Sequence, residues 1–132
     1  MRLTTKGEYA VRSVINLLSN PANGPVRIRD IADSEGISKA YIEQLFNRLR
    51  KDGLIKSVRG PAGGYILAKK PEKITIGDII RSVEGPIFLT LCSSGKTGCC
   101  DRERSCRSLP MWKKINKRIE SALDSIDLGD LK

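Results

Sequence analysis

A chain of 132 residues suits one folded domain with at most a small appended element. Its apolar fraction of 39% is enough for a core, while a charged fraction of 30% and a net charge of +9 point to an anionic partner. With no histidine anywhere, a catalytic Cys/His arrangement is excluded.

Met1-Arg2-Leu3-Thr4-Thr5-Lys6 is followed by no apolar h-region, and no apolar run approaches a membrane span. The expected compartment is the cytoplasm. Thiols stay reduced there, so four cysteines within 15 positions read as metal ligands or redox thiols rather than disulfides. The positive charge is uneven. Residues 1–70 hold 13 Lys/Arg against 6 Asp/Glu, and residues 71–132 hold 11 against 9. Within 38–70 the count is 8 against 2, a basic stripe of the kind that meets nucleic acid.

Taken in chain order, Thr5-Lys6-Gly7-Glu8 has the form of a capping box. A helix is predicted after it, with Ala10, Val14, Leu17 and Leu18 on one stripe and Val11 and Ile15 beside it. Asn20 to Pro25 break it. A second helix runs through Ile28–Ala32 and stops near Gly36, with Ile37 turned to the core. Ser38 caps a third helix, Lys39 to about Lys51, whose buried face is Tyr41, Ile42, Leu45, Phe46 and Leu49; Asp52-Gly53 closes it. Two short strands come next, near 54–58 and 64–68, joined by Arg59-Gly60-Pro61-Ala62-Gly63. Thr75 caps a fourth helix that ends at Gly85-Pro86. The pattern then collapses into the cysteine run, and a last long helix starts near Ser108-Leu109-Pro110.

Helix, tight turn, helix and hairpin between Val26 and Leu67 make a winged helix-turn-helix, whose second helix can enter a major groove. The fold class is therefore mainly α with a small β-hairpin wing. On that second helix Ser38, Lys39, Ala40, Glu43, Gln44 and Asn47 are expected to be exposed. Glu accepts from cytosine N4 and Gln bonds adenine, whereas Arg48, Arg50, Lys51 and Lys56 suit phosphates. Gly60, Gly63 and Gly64 allow close backbone approach to DNA, and Arg59 is placed to enter a minor groove.

Three segments carry a resemblance: residues 1–11 (MRLTTKGEYAV), 37–54 (ISKAYIEQLFNRLRKDGL) and 58–67 (VRGPAGGYIL). They resemble the IscR branch of the bacterial iron–sulfur regulator family, and the likeness covers nearly the whole chain. It implies a dimeric winged-helix repressor or activator holding a [2Fe–2S] cluster. It also implies that Glu43 and Arg59 read bases, within a DNA-facing set that includes Tyr41. Ala40 stands where such proteins often have Ser, which removes one base contact.

Cluster irons are held by thiolates on loops that wrap the inorganic core. Cys92, Cys99, Cys100 and Cys106 are the candidates, with Gly95 and Gly98 between them and Lys96, Arg102, Arg104 and Arg107 nearby to favour thiolate. Cys-x2-Cys pairs, the mark of a zinc ribbon, are missing. The family pattern leaves five residues before its last cysteine. Cys100 to Cys106 matches that gap, which makes Cys92, Cys100 and Cys106 the implied set and Cys99 the extra. Where some relatives place a histidine ligand this chain has Leu109. Others use a carboxylate of the partner subunit, matching Glu8. The fourth ligand is thus Cys99 or the partner subunit's Glu8.

Leu109, Trp112, Ile115, Ile119, Leu123 and Ile126 recur at spacings of three and four on an otherwise charged helix, predicting a homodimer on a palindromic double-stranded DNA operator. The expected organisation is a DNA-binding domain over 1–86, a cysteine loop over 87–107 and a dimerisation helix with tail over 108–132. The expected function is transcription regulation controlled by one [2Fe–2S] cluster per subunit, governing iron–sulfur assembly genes. Two rival readings stand beside it: a cluster-free regulator of cysteine metabolism, and a thiol redox enzyme using Cys99-Cys100.

Overall fold

The computed structural model describes residues 3–18, 24–98 and 100–131. Five helices and one hairpin occur in the predicted order: α1 (Thr5–Leu18), α2 (Ile28–Glu35), α3 (Lys39–Lys51), β1 (Ile55–Val58), β2 (Gly64–Leu67), α4 (Ile76–Glu84) and α5 (Leu109–Asp124). None of the described helices is long and apolar enough to cross a membrane.

The entry to α1 differs from the expected capping box. Glu8 N–H donates to the Thr4 carbonyl at 3.3 Å, so the first turn opens one residue earlier. The Thr5 hydroxyl instead lies 3.4 Å from the Tyr41 hydroxyl. Glu84, at the end of α4, accepts from Thr4 N–H at 3.1 Å and from the Thr4 hydroxyl. A carboxylate from across the fold thus sits at the positive end of α1, where a local one was expected. The predicted stripe does face inward, with Ala10 and Val14 fully buried. Gly7 and Ser13 are buried too, and a Cβ on Gly7 would meet the Glu84 carboxylate at 2.8 Å.

α2 ends in the left-handed Gly36, whose N–H donates to the Ala32 carbonyl at 2.9 Å, and Ile37 plugs the core behind it. Ser38 caps α3 by accepting from Tyr41 N–H at 3.2 Å. Ile42, Phe46 and Leu49 are 0% exposed under that helix. Each such side chain contributes about 1.5–3 kcal/mol by leaving water. The hairpin pairs Ile55 with Leu67 and Val58 with Gly64, antiparallel. Val26, just before α2, adds a one-residue third strand: it exchanges both backbone hydrogen bonds with Tyr65, at 2.9 and 2.8 Å. The Tyr65 ring meets Phe46 edge-on at 5.0 Å, which fixes the hairpin to α3.

Thr75 and Asp78 form a reciprocal capping box at the start of α4. The chain end returns to this region. Leu128 is completely buried in the same core as Ile74 and Ile79, and its N–H donates to the Ile74 carbonyl at 2.9 Å.

Candidate nucleic-acid interface and cysteine loop

The turn between α2 and α3 is gripped from α1. Arg12 Nε donates to Glu35 Oε2 at 3.0 Å, an Arg12 terminal N–H donates to the Glu35 carbonyl at 2.8 Å, and Asn16 donates to Glu35 Oε1 at 2.6 Å. Arg12 also lies over the Tyr9 ring, and that ring meets Tyr41 edge-on at 5.9 Å. The start of α3 is thereby referred to α1 by ion pair, amide and aromatic contact. Sequence reasoning missed this network because the contacts that join α1 to Glu35 and Tyr41 span 19 to 32 positions.

On α3, Lys39, Ala40, Glu43, Gln44 and Asn47 are exposed and lie opposite Ile42, Leu45, Phe46 and Leu49. Tyr41 is half-buried against Tyr9, and the Ser38 hydroxyl is engaged as the cap. Arg48, Arg50 and Lys51 are exposed in the last turn, where cations complement the helix dipole and remain free to meet phosphate. At the wing, Arg59 and Gly60 are exposed, and Arg27 donates to the Pro61 carbonyl. Gly63 and Gly64 answer an intramolecular demand. A Cβ on Gly63 would lie 2.3 Å from the Val58 carbonyl oxygen, and one on Gly64 would lie 2.5 Å from that of Val26.

Cys92 sits in a short 3-10 turn, Leu91–Ser93, that Thr90 and Ser93 cap reciprocally; its sulfur is 3.0 Å from the Thr90 hydroxyl. Cys106 lies just before α5, with its sulfur 3.0 Å from the Ser108 hydroxyl. That hydroxyl, together with the Ser108 N–H, holds the Cys106 thiol below its usual range. Burial opposes the shift, and the Leu109 N–H and the Arg102 charge add to it. Cys100 is exposed. Cys99 lies outside the described residues. Gly95 and Gly98 take φ of 86° and 75°, the left-handed turns that let this segment fold back. Among the described residues, no three Cys, Asp or Glu side chains are gathered closely enough to hold a metal ion. Three thiols on a turning loop, with a thiolate-stabilising hydroxyl beside Cys106, fit an iron–sulfur group in chemistry, and the loop would have to close to bring them together. Glu8 is exposed in the first turn of α1.

In α5, Leu109, Trp112, Ile115, Ile119 and Leu123 are all half-buried; the one buried residue is Asn116. Ile119 and Leu123 line a cavity of about 380 Å³ with Leu3, Ile80, Glu84 and Phe88. Ile126 departs from expectation. The helix ends at Asp124 with Ser125 as its cap, so Ile126 lies beyond the helical stripe, 46% exposed. Its carbonyl accepts the Ile76 N–H at 2.9 Å, which pulls the chain out of helical register and across to α4.

Residues 3–132 match the Rrf2 family, described as iron-dependent transcriptional regulators. The chain belongs to the Rrf2 family. It is 44% identical over 131 residues to the HTH-type transcriptional regulator IscR of Klebsiella pneumoniae, covering 99% of this chain and 79% of that one. The IscR of Escherichia coli O1:K1 is equally similar, with 80% of its length covered. Among solved structures, T. potens IscR superposes with a TM-score of 0.78 at 40% identity, over 99% of this chain and 85% of that one. CymR, the global cysteine regulator of B. subtilis, superposes with a TM-score of 0.80 at 36% identity, over 99% and 95%. This Rrf2 protein is accordingly an IscR-type transcriptional regulator of the helix-turn-helix class, a DNA-binding protein and not an enzyme.

Proposed function

We propose that this regulator acts in the cytoplasm as a homodimer on a palindromic operator, and that one [2Fe–2S] cluster per subunit sets its affinity for DNA and so controls iron–sulfur assembly genes. The observation that carries this reading is the donor set: Cys92, Cys100 and Cys106 on a glycine-turned loop, two of them beside hydroxyl groups, directly preceding α5. When bound, the cluster supplies a charge and a redox state that answer to iron and oxidant.

The remaining roles fall to the chain itself. Glu43 and Gln44 face base edges, with Ser38, Lys39, Ala40 and Tyr41 at the helix entry. Arg48, Arg50 and Lys51 hold phosphates, and Arg59 is carried into the minor groove by the wing. Leu109, Trp112, Ile115, Ile119 and Leu123 form the dimer stripe. The fourth ligand is Cys99 or the partner subunit's Glu8. In this reading residues 1–86 read DNA, 87–107 sense and 108–132 pair the subunits, and closing the sensing loop sets the spacing of the two reading helices.

Purification without oxygen, with iron and sulfide assays and a visible spectrum, tests the sensor. Equimolar [2Fe–2S], lost in Cys92→Ala, Cys100→Ala and Cys106→Ala alike, is the expected result. Spectroscopy with thiolate-only ligation would assign the fourth position to Cys99. Stoichiometric zinc without sulfide, or colourless protein that binds its operator at full strength, would overturn the cluster reading in favour of a cluster-free regulator.

A further inference from the structure

Asn116 is 6% exposed in a helix whose apolar stripe is only half covered. Its Oδ1 accepts from the Leu89 N–H at 2.9 Å, and its Nδ2 donates to the Ile87 carbonyl at 2.9 Å. The carbonyl of one residue and the N–H two residues on share an edge of an extended chain. The side-chain amide therefore takes the place of a neighbouring strand's peptide. Only a primary amide offers a donor and an acceptor on one plane at this reach; a carboxylate would set an oxygen against the Ile87 carbonyl.

The residues just beyond Leu89 give this clamp its meaning. Thr90 N–H donates to Ser93 Oγ at 3.2 Å, Ser93 N–H donates back to the Thr90 carbonyl at 3.0 Å, and the Thr90 hydroxyl is 3.0 Å from the Cys92 sulfur. The path from the helix to the first thiol thus runs from Asn116 through Leu89 and Thr90 to Cys92, with a hydrogen bond at each end. Cys106, at the other end of the segment, is placed by α5 itself through Ser108.

We propose that Asn116 is the positioning residue for Cys92. It refers the entrance of the cysteine segment to the same helix that fixes its exit. Two thiols far apart in sequence are then held in one frame, and any shift of the loop is passed to α5. The functional meaning of the clamp rests on the reading of Cys92 as a cluster ligand; the placement of Cys92 does not.

The test uses the full-length chain. In metal-free protein each cysteine's alkylation by iodoacetamide is followed by peptide mass spectrometry. Asn116→Leu keeps the branched heavy-atom skeleton and removes both bonds; Asn116→Asp keeps the acceptor and serves if the first does not fold. We expect Cys92 to react about tenfold faster in Asn116→Leu and by a smaller factor in Asn116→Asp, with Cys106 unchanged. A filler role would leave Cys92 unchanged in Asn116→Leu, and that outcome overturns the proposal. Hydrogen exchange on the wild-type chain gives a second readout. A protected Leu89 amide is expected, and free exchange there also overturns the proposal. In anaerobically loaded protein, loss of visible absorption to a chelator should quicken in step with Cys92 labelling. If wild-type chain takes up no iron and sulfide while Cys92 labelling still responds to Asn116→Leu, the cluster reading fails and the positioning stands. If the cluster forms and Cys92 labelling is indifferent, the reverse holds.

Discussion

Two stretches of this chain carry the same charge and are built in opposite ways. Residues 38–70 and residues 92–118 each hold 8 Lys/Arg against 2 Asp/Glu. In the first, the cations of α3 stand over Ile42, Leu45, Phe46 and Leu49, none more than 4% exposed, and the wing is tied down through Val26 and Phe46. In the second, Lys113, Lys114, Lys117 and Arg118 stand on a helix whose one buried residue is Asn116. Equal charge therefore sits on a rigid backing in one stretch and on a half-covered helix in the other. Bases are read by side chains held to a fraction of an ångström, which takes a rigid backing. An apolar stripe left half covered in the single chain is what a subunit contact requires.

The largest effect separates the two regions by stability. Phe46→Ala should cost about 3–5 kcal/mol in chemical denaturation, at any protein concentration, because it empties a core complete within one chain. Paired Ile115→Asp and Ile119→Asp should instead abolish the proposed homodimer in sedimentation and make the loss depend on concentration. An unaltered dimer would move the interface elsewhere and undo the contrast. Next in size comes DNA affinity. Arg50→Glu with Lys51→Glu should weaken operator binding about a hundredfold and flatten the salt slope by about 2, since each phosphate contact contributes about 0.9. Lys113→Glu with Lys117→Glu should leave both nearly unchanged. Equal losses from the two pairs would show that the second basic stretch touches DNA as well. Ser38→Ala, which removes the cap of α3 and leaves its packing intact, should cost about 1 kcal/mol in thermal or urea unfolding.

The same contrast decides what was legible in the sequence. The bounds of α3, from the Ser38 cap to Asp52-Gly53, depend on chemistry within a few residues, and the structure reproduces them. The order of elements, the hairpin and the family were all readable from short patterns of that kind. What escaped depends on partners far away. Thr5 lost its expected capping role because the helix opens at Thr4, which Glu84 meets from 80 positions on. Ile126 left the α5 stripe because its carbonyl is taken by Ile76. Asn116 looked like an unremarkable polar residue on a charged helix until its contacts with residues 87 and 89 were visible. The spacing of the cysteines suggests a ligand chemistry, but spacing does not say how a loop is folded when its thiols are apart.

The smallest effect probes the joint between the two regions. Arg81 on α4 grips Asp124 at the end of α5 with both terminal nitrogens, at 2.9 and 2.7 Å, and the Thr75 hydroxyl donates to the same carboxylate at 3.2 Å. The Arg81 hydrogen bonds hold the Asp124 carboxyl below its ordinary range, with burial opposing and the Arg81 charge and Thr75 hydroxyl assisting. A depressed carboxyl stabilises the fold fully above its unfolded value, about pH 4, and loses that contribution as pH falls through the lower folded value. The pair is exposed by 31% and 40%, so solvent screening keeps its worth to about 0.5–1 kcal/mol. Asp124→Asn should therefore lower the urea midpoint slightly at neutral pH, and the gap to wild type should narrow steadily as pH falls below the unfolded value of about 4 and the wild-type carboxyl takes up its proton. A gap that stayed constant throughout that fall would mean that Asp124 joins α4 to α5 by shape and hydrogen bonding, with its charge contributing nothing.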